Sequence, residues 1–332
     1  MRHPDSTTPG GPPTMNLLWS YVYARTLDLD IFLGGLPVPR LRFFADSGAH
    51  SARTLGLDIS VDGYAAWVKR WSHWFTIYAN LDVIWAPRAT YDNQKRLEEV
   101  HGLHPMPVFH TGEPVSVLER YLNEGYTYIA LGKLLGNSVK VLRPWLDQVF
   151  RMAEGTAVFH GFGMTVWPLL QRYRFYSVDS STWGAGVRYG RVNLFHDGRW
   201  VECRLGSVES ARKHHHVLEA YGLPVAAVSR RHYDPERVAG ACAVAIYRAS
   251  QWLTARLGPV ELPPGRGYPP RPAVAQPALV SAGAPGTAGP QIYLAEAWHE
   301  AHRRHAAGLH IYLADASESW TGRAAKGIGA MT

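Results

Sequence analysis

Seven short apolar runs, separated by segments with helical periodicity, constrain the fold of this chain more than any other sequence feature. Near-continuous hydrophobic runs of this kind are typical of strands covered on both faces, as in a parallel sheet. We therefore predict a strand in each run. The runs are NLLWSYVY (16–23), RLRFFADSG (40–48), FTIYANLDVI (75–84), PMPVFH (105–110), YTYIALGKLLG (126–136), AVFHGFG (157–163) and FYSVDSS (175–181).

The segments between the runs carry apolar residues at helical spacing. Stripes of this period begin at Tyr64, Leu142 and Val166, and each predicts an amphipathic helix. A longer stripe predicts a helix over 235–257, which Gly258 closes. Strands and helices therefore alternate along the chain, which is the pattern of an α/β protein.

The number of alternations predicts a (β/α)₈ TIM barrel over residues 15–257, with the helix at 235–257 closing it. An Asp-Gly pair at 197–198 predicts a β-hairpin, and one of its strands is expected to be the eighth of the barrel. A doubly wound open sheet is the main alternative. No GxGxxG or P-loop follows any run, which argues against a dinucleotide-binding domain.

The two ends of the chain differ in composition from the regular part. Residues 1–14 are predicted to be a disordered leader, and 258–290 a linker or loop, since its 33 residues include 9 Pro and 6 Gly. Residues 291–332 are predicted to be a short C-terminal extension. Within it, IYLAEA (292–297) and IYLADA (311–316) each predict a short strand.

Composition excludes several classes of protein. The 12 Trp, 17 Tyr and 10 Phe exclude wholesale disorder, and two Cys are too few for a disulfide scaffold or a four-Cys zinc module. No apolar run approaches the roughly 18 residues that span a bilayer. We therefore expect a soluble, cytoplasmic protein without a membrane partner. Its formal net charge of +7 suits a polyanion such as nucleic acid.

Carboxylates and imidazoles lie where the predicted strands end. Three of the runs carry a carboxylate toward their carboxyl ends, Asp46, Asp82 and Asp179, and two others carry an imidazole there, His110 and His160. A single Asp there most often caps the next helix, but buried carboxylates are costly unless they are paired or used. Two carboxylates on one barrel rim suit glycosidic-bond chemistry, one as nucleophile and one as acid/base.

Other reactive residues fit chemistry less well. Cys203 and Cys242 lie in apolar surroundings of a predicted strand and helix, and Ser180 has no GxSxG elbow. The consecutive histidines at 214–216 point in different directions on a helix or a strand. We therefore expect no metal site and no cofactor.

An ordered set of these motifs resembles the tRNA-guanine transglycosylase superfamily. The set is FADSGAHSA, YANLDVI, PVFH, YIALGKLLG, VFHGFG and YSVDSS, over about residues 16–195. It is most similar to the phage branch, the DNA-guanine transglycosylases that insert 7-deazaguanines into viral DNA. DSGA and YSVDSS carry most of the resemblance.

The resemblance implies a role for each matching position. Asp179 would be the nucleophile that attacks C1′ of the sugar, Asp46 the general acid/base, and Asp82 the acceptor for the N1 and N2 edge of guanine. His50 and His160 would sandwich the base. The remaining base-binding positions would be His110, Gly132, Lys133, Leu134 and Gly161.

Two departures from that superfamily affect the expected substrate. Lys133 replaces a glycine of the base-binding loop, and the CxCxxC…His zinc site of the tRNA enzymes is missing. The expected partners are therefore DNA with a flipped-out guanine and a free 7-deazaguanine such as preQ0, with a homodimer as one possible assembly. The alternatives are the same exchange on tRNA, a non-catalytic nucleic-acid-binding barrel, or a free-nucleoside hydrolase.

Overall fold

The structure, a computed structural model, is a mixed α/β protein with one largely parallel sheet and a separate two-stranded hairpin. It describes residues 14–34, 40–184, 189–229, 235–266, 274–275 and 310–314. Most of the predicted leader, and the predicted strand at 292–297, therefore lie outside the described residues.

Each of the seven apolar runs contains a strand, which confirms the strand predictions. The strands are β1 (Thr14–Ser20), β2 (Arg40–Asp46), β3 (Phe75–Tyr78), β4 (Val108–His110), β5 (Tyr128–Gly132), β6 (Val158–Gly161), β7 (Ser177–Ser180), β8 (Arg191–His196), β9 (Arg199–Arg204), β10 (Val274–Ala275) and β11 (His310–Ala314). Some are shorter than their runs. For example, β3 stops before Asn80, whose side-chain amide donates to the Thr90 carbonyl instead.

Helices follow the predicted stripes. They are α1 (Tyr21–Ala24), α2 (Leu29–Gly34), α3 (Ala49–Leu55), α4 (Val61–Arg70), α5 (Pro87–Lys95, continued by a π-helical turn at Arg96–Val100), α6 (Val115–Asn123), α7 (Val139–Met152), α8 (Trp167–Leu170), α9 (Val208–Lys213), α10 (His215–Glu219), α11 (Val225–Ser229) and α12 (Pro235–Leu257). The predicted helix at 235–257 is confirmed as α12. Helix α8 is a single turn and is shorter than its stripe.

Strand pairing places one end of most strands at a common edge. The order in the main sheet is β10-β2-β1-β11-β7-β6-β5-β4, and β3 also pairs with β2. Every pair is parallel except that of β10 with β2. The carboxyl ends of the parallel strands therefore lie at the same edge of the sheet.

The expectation that the hairpin supplies a strand to the main sheet is wrong. Strands β8 and β9 pair with each other around Asp197 and Gly198, and form a sheet of their own. Both turn residues have positive φ, as the Asp-Gly signal requires. The eighth parallel strand is β11 (His310–Ala314), from the predicted extension, which pairs with β1 and β7.

Both faces of the main sheet are buried, which explains why the strand sequences are apolar almost throughout. One face contributes residues such as Phe43 and Phe159 to a large core shared with the helices. The other face forms a smaller cluster, here called the inner cluster. Its buried members are Leu18, Phe44, Ile77, Ala79, Met106, Val108, Tyr128, Ala130 and Val158.

The predicted linker at 258–290 contacts the rest of the chain where it is described. The Arg266 amide donates to the Gly125 carbonyl at 2.7 Å, and its guanidinium lies 2.8 Å from Glu98. The short strand β10 pairs with the start of β2. These residues are therefore held against the sheet and against α5.

Candidate active site

The polar residues at the strand ends lie on the same face of the sheet as the inner cluster. Phe44 and Val108 belong to this cluster, and Asp46 and His110 lie two residues further along the same strands. Since alternate side chains of a strand share a face, these polar groups sit next to the inner cluster at the carboxyl edge. The polar residues placed in this way are Ser20, Asp46, His110, His160, Ser177 and Asp179.

Asp46, the last residue of β2, has an environment suited to proton transfer. Its Oδ2 accepts a hydrogen bond from the Gly48 amide at 3.0 Å. Burial, and then the negative charges of Asp82 and Asp179, raise the pKa of Asp46 to about 7. The three carboxylates predicted from the sequence are therefore brought close enough to interact.

Gly48 shapes the turn that follows Asp46. Its φ is +80°, and a Cβ atom there would lie 2.2 Å from Ser20 Oγ and 2.6 Å from a methyl group of Val22. A side chain at this position would therefore clash with β1 and α1. The glycine of the DSGA motif lets the chain turn tightly enough to leave Asp46 at the edge.

Asp82 is held by hydrogen bonds to both of its oxygens. Ser47 Oγ donates to Oδ1 at 3.1 Å, and His110 Nε2 lies 2.8 Å from Oδ2. The other nitrogen of the ring, His110 Nδ1, lies 2.9 Å from Glu113 Oε1, and Glu113 Oε2 accepts from the His110 amide. The imidazole thus lies between two carboxylates.

This arrangement makes His110 a cation at neutral pH. Burial lowers its pKa, but the hydrogen bonds and charges of Asp82 and Glu113 outweigh that effect and raise the pKa to about 9. The ring is 2% exposed, so the positive charge is compensated almost entirely by those two neighbours.

Gly132 makes room for the His110 ring. A Cβ atom at Gly132 would lie 2.5 Å from His110 Cδ2 and 3.3 Å from a methyl group of Val108. Any larger residue would therefore displace the ring from Asp82. The glycine was predicted as a base-binding position, and the geometry adds a packing reason for it.

Lys133 and Trp85 face each other across the edge of the sheet. Lys133 Nζ lies 2.8 Å from the centroid of the Trp85 ring and 3.5 Å from the Thr111 carbonyl. Both residues have positive φ, 55° and 72°, which is uncommon for residues with large side chains. Such conformations cost about 1–3 kcal/mol each and tend to occur at functional sites.

Asp179 is buried and held through one oxygen. Its Oδ1 accepts from the Gly163 amide at 2.7 Å and lies 3.3 Å from His160 Nε2. The side chain is 11% exposed. The hydrogen bonds found among the described residues thus involve Oδ1 and orient the carboxylate.

His160 contacts Asp179 from the buried side of the site. Its ring is fully buried with edge contacts to Phe44 and Phe162, and Nδ1 lies 2.6 Å from Ser177 Oγ. Burial lowers the pKa of His160 despite the hydrogen bond and charge of Asp179, which raise it. The imidazole is therefore neutral at pH 7 and positions Asp179; its ring has no exposed face for stacking on a base.

Two other predicted base-binding residues differ in their surroundings. His50 lies in the first turn of α3 with an exposed side chain, and among the described residues no contact joins it to the carboxylates. Gly161 is in β6, where a Cβ atom would lie 2.9 Å from Met164 and 3.0 Å from Phe175. Its glycine is therefore needed for packing.

Several residues that contact the predicted groups were not singled out from the sequence. Glu113 lies three residues after His110 in HTGE, and Ser47 follows Asp46 directly, so closeness in sequence to a predicted residue was the available signal. Ser177 lies two residues before Asp179 and shares its face. Trp85 lies three residues after Asp82, so the same closeness in sequence was available as a signal for it.

The described residues contain no group of three or more His, Cys, Asp or Glu side chains placed to hold a metal ion. Among the same residues, no helix has the length and apolar character needed to cross a membrane.

Comparison with known proteins does not supply a family. No protein-family model matches this chain, and no curated protein matches it at a significant level. The resemblance of the motifs to transglycosylases therefore remains a hypothesis.

Proposed function

We propose that this protein is a DNA-guanine transglycosylase that exchanges guanine in DNA for a 7-deazaguanine base such as preQ0. The observation that carries the proposal is the convergence of three carboxylates: Asp46 at the end of β2, Asp82 in the loop after β3, and Asp179 in β7. The charges of Asp82 and Asp179 both raise the pKa of Asp46. One carboxylate with a pKa of about 7 beside two others is an arrangement suited to nucleophilic displacement with proton transfer.

The fold proposed for this enzyme is a closed (β/α)₈ barrel of β1 to β7 and β11. In the strand order, β3 and β4 are the two ends of the parallel series. A bridge between Ala79 and Met106 links these ends, with hydrogen bonds at 2.9 Å from Asn80 N to Met106 O and from Met106 N to Tyr78 O. The inner cluster, drawn from β1 to β6, would be the barrel interior. The carboxyl edge of the strands is where TIM barrels have their active sites.

In the first half of the reaction, Asp179 displaces guanine. Its Oδ2 attacks C1′ of the deoxyribose while the C1′–N9 bond breaks, and the electron pair leaves with the purine. Protonated Asp46 donates its proton to the departing guanine. The amide of Gly163 and the ring of His160 keep Asp179 in the orientation for attack.

In the second half, the new base displaces Asp179. Asp46, now ionised, accepts the N9 proton of the 7-deazaguanine, and N9 attacks C1′ while the C1′–Oδ2 bond breaks. Two successive displacements retain the configuration at C1′. The pKa of about 7 suits both roles of Asp46, since the group must gain and lose a proton once in each cycle.

Asp82 gives the site its preference for guanine. An ionised carboxylate accepts hydrogen bonds only, and guanine presents donors at N1 and N2, whereas adenine presents an acceptor at N1. The His110 ring and the Ser47 hydroxyl group hold Asp82 in the orientation for this contact. A 7-deazaguanine carries the same edge, so it enters the same position.

A polynucleotide substrate is supported by charge and by motif content. The net charge of +7 favours binding to phosphates. The zinc motif of the tRNA enzymes is missing from the sequence, which favours DNA over tRNA. A guanine inside a duplex is inaccessible, so the nucleotide must leave the base stack to reach the carboxylates.

A base-exchange assay tests the proposal. The full chain is incubated with preQ0 and either DNA or tRNA that carries radiolabelled guanine, and release of guanine is measured together with the mass of the nucleoside products. Release from DNA with incorporation of preQ0 is the expected result. Release from tRNA alone would move the activity to the alternative substrate, and binding without release from either would support the non-catalytic barrel.

A further inference from the structure

Two strained residues face each other at the rim of the candidate site. In the described part of the chain, the non-glycine residues with positive φ are Trp85, Lys133 and Asp197. Asp197 lies in the Asp-Gly turn of the hairpin, which accounts for it. Trp85 and Lys133 lie in two different loops, after β3 and after β5. The Ala86 amide donates to the Val83 carbonyl at 2.9 Å, so Trp85 is the third residue of a β-turn, where a positive φ favours glycine over a residue with a large side chain.

Trp85 is also unusually exposed. Its relative exposure is 61%, although burying an indole is among the more favourable contributions a side chain can make to folding. Lys133 Nζ lies against the ring at 2.8 Å. An exposed ring in a strained backbone conformation, with a cation beside it, serves no evident purpose in the core.

The pair stands next to the groups proposed to read the base. Lys133 follows Gly132, which packs against the His110 ring, and its Nζ is 3.5 Å from the carbonyl of Thr111. Trp85 is three residues after Asp82. The ring and the ammonium group therefore lie at the mouth of the site on the side of Asp82 and His110.

Exposed apolar residues continue along the rim. Val83 is 38% exposed beside Trp85, and Leu135 is 65% exposed in the loop of Lys133. Leu135 is packed against Gly163, whose amide holds Asp179. The apolar rim thus extends from the side of Asp82 to that of Asp179. Exposed Arg88, at the start of α5, adds a second cation.

We propose that Trp85 and Lys133 form a docking surface for the DNA strand beside the flipped-out guanine. The base next to the guanine stacks on the indole, and the ammonium group of Lys133 contacts an adjoining phosphate. Stacking on an aromatic ring tolerates any base, and a lysine contacts phosphate as a point charge. The inference rests on the proposed function and assigns the contact that holds the strand while the guanine is extruded.

Fluorescent single-stranded DNA tests this surface. The oligonucleotide carries one guanine with 2-aminopurine next to it, and binding to the full chain is followed by anisotropy and by 2-aminopurine emission. Trp85→Ala should weaken binding by about tenfold and abolish the change in emission, while Trp85→Phe should retain most of both. Val100→Ala, which alters a 66% exposed apolar residue at the far end of the α5 segment, is the matched control and should bind like wild type.

A second variant separates docking from folding. Trp85→Gly relieves the positive φ, so its Tm should equal or exceed that of wild type while its DNA binding falls with that of Trp85→Ala. A lower Tm for Trp85→Gly would indicate a structural role and would overturn the proposal. Unchanged binding and emission in Trp85→Ala, or no binding by wild type, would overturn it as well.

The same samples distinguish this inference from the proposed function. Guanine exchange by wild type is measured in parallel, because stacking is read without turnover. Exchange by wild type with normal binding by Trp85→Ala would reject the docking surface alone. A normal stacking signal without exchange would reject the transglycosylase and leave the docking surface supported.

Discussion

The two buried histidines of the candidate site, His110 and His160, lie at corresponding ends of β4 and β6 but carry opposite pKa shifts. Burial lowers the pKa of both. Two hydrogen-bonded carboxylates outweigh burial at His110, whereas His160 has one carboxylate at 3.3 Å, a hydroxyl group and aromatic rings around it. The number of carboxylates around each ring therefore sets its charge.

Under the proposed function, the two protonation states suit two tasks. A cation at His110, 2.8 Å from Asp82 Oδ2, holds this carboxylate in place as an acceptor for the donor edge of guanine. A neutral ring at His160 orients Asp179 without placing a full positive charge beside the nucleophile, which would reduce its nucleophilicity. One half of the site therefore reads the base, and the other half supports the bond exchange.

The largest expected effect on activity comes from replacing Asp179, the carboxylate next to His160. Asp179→Asn removes the proposed nucleophile, so the covalent adduct between protein and DNA should disappear, as measured by intact-protein mass spectrometry under denaturing conditions. Asp92→Asn, an exposed aspartate of α5, is the control and should form the adduct like wild type. An adduct that persists in Asp179→Asn would assign the nucleophile to another residue.

Asp46, between the two halves, should show the next largest effect. Asp46→Asn should slow turnover by about 10²–10⁴-fold with DNA binding retained, as expected for loss of an acid/base group. A single-turnover assay and anisotropy measure the two quantities separately. Equal loss of both would indicate that Asp46 holds the substrate and does not transfer protons.

The raised pKa of Asp46 also predicts a pH dependence of stability. Between its ordinary value of 3.8 and about 7, the folded state holds a proton that the unfolded state has released. Its contribution to the free energy of unfolding therefore falls as pH rises through this window. Asp46→Asn should remove this contribution, so denaturant titrations at pH 5 and pH 8 should differ less for the variant than for wild type. Equal differences in the two proteins would contradict the raised pKa.

Removing one of the two carboxylates that contact His110 should bring its pKa closer to that of His160. Glu113→Gln should lower the pKa of His110 from about 9, as measured by NMR titration of its ring. The stabilisation from this raised pKa is complete below about pH 6.5 and lost as pH rises through about 9. In Glu113→Gln this stabilisation should be lost at a lower pH than in wild type.

Glu113→Gln should also raise the KM for the free base more than it lowers kcat. The KM for the free base should rise by about tenfold, as expected for a lost hydrogen bond to a charged group, with a smaller change in kcat. Glu119→Gln, an exposed glutamate of α6, is the matched control. A normal KM together with a lowered His110 pKa would show that the charge of His110 does not affect Asp82.

Local patterns explain why part of the fold could be predicted from the sequence. Apolar runs buried on both faces and the long stripe at 235–257 depend on neighbouring residues, and both predictions are confirmed. The eighth parallel strand depends on pairing instead. His310–Ala314 follows a Pro- and Gly-rich segment, and nothing local shows that it enters between β1 and β7. The hairpin has a clear local turn signal, which favours it from sequence alone, but its two strands pair with each other and form a separate sheet.

Some residues of the candidate site could likewise be predicted from local sequence, whereas others could not. Asp46, Asp82 and Asp179 could be predicted because a carboxylate near the carboxyl end of an apolar run is a local signal. The second carboxylate on His110 could not, since Glu113 resembles an acidic residue before a helix. The exposed position of His50 and the strained conformation of Trp85 depend on how the loops turn, which the residue types alone do not specify.

The smallest effect is expected beneath His160. Ser177 Oγ lies 2.6 Å from His160 Nδ1 and also bonds the hydroxyl group of Tyr128, so Ser177→Ala frees one ring nitrogen while leaving Asp179 in contact with Nε2 and the Gly163 amide. Because one neutral hydrogen bond contributes about 1 kcal/mol, kcat should fall about fivefold with the KM for DNA unchanged. Ser177→Thr keeps the hydroxyl group and should recover most of that loss. A loss in Ser177→Ala as large as that in Asp46→Asn would mean that His160 takes part in proton transfer, and the contrast between the two histidines would have to be redrawn.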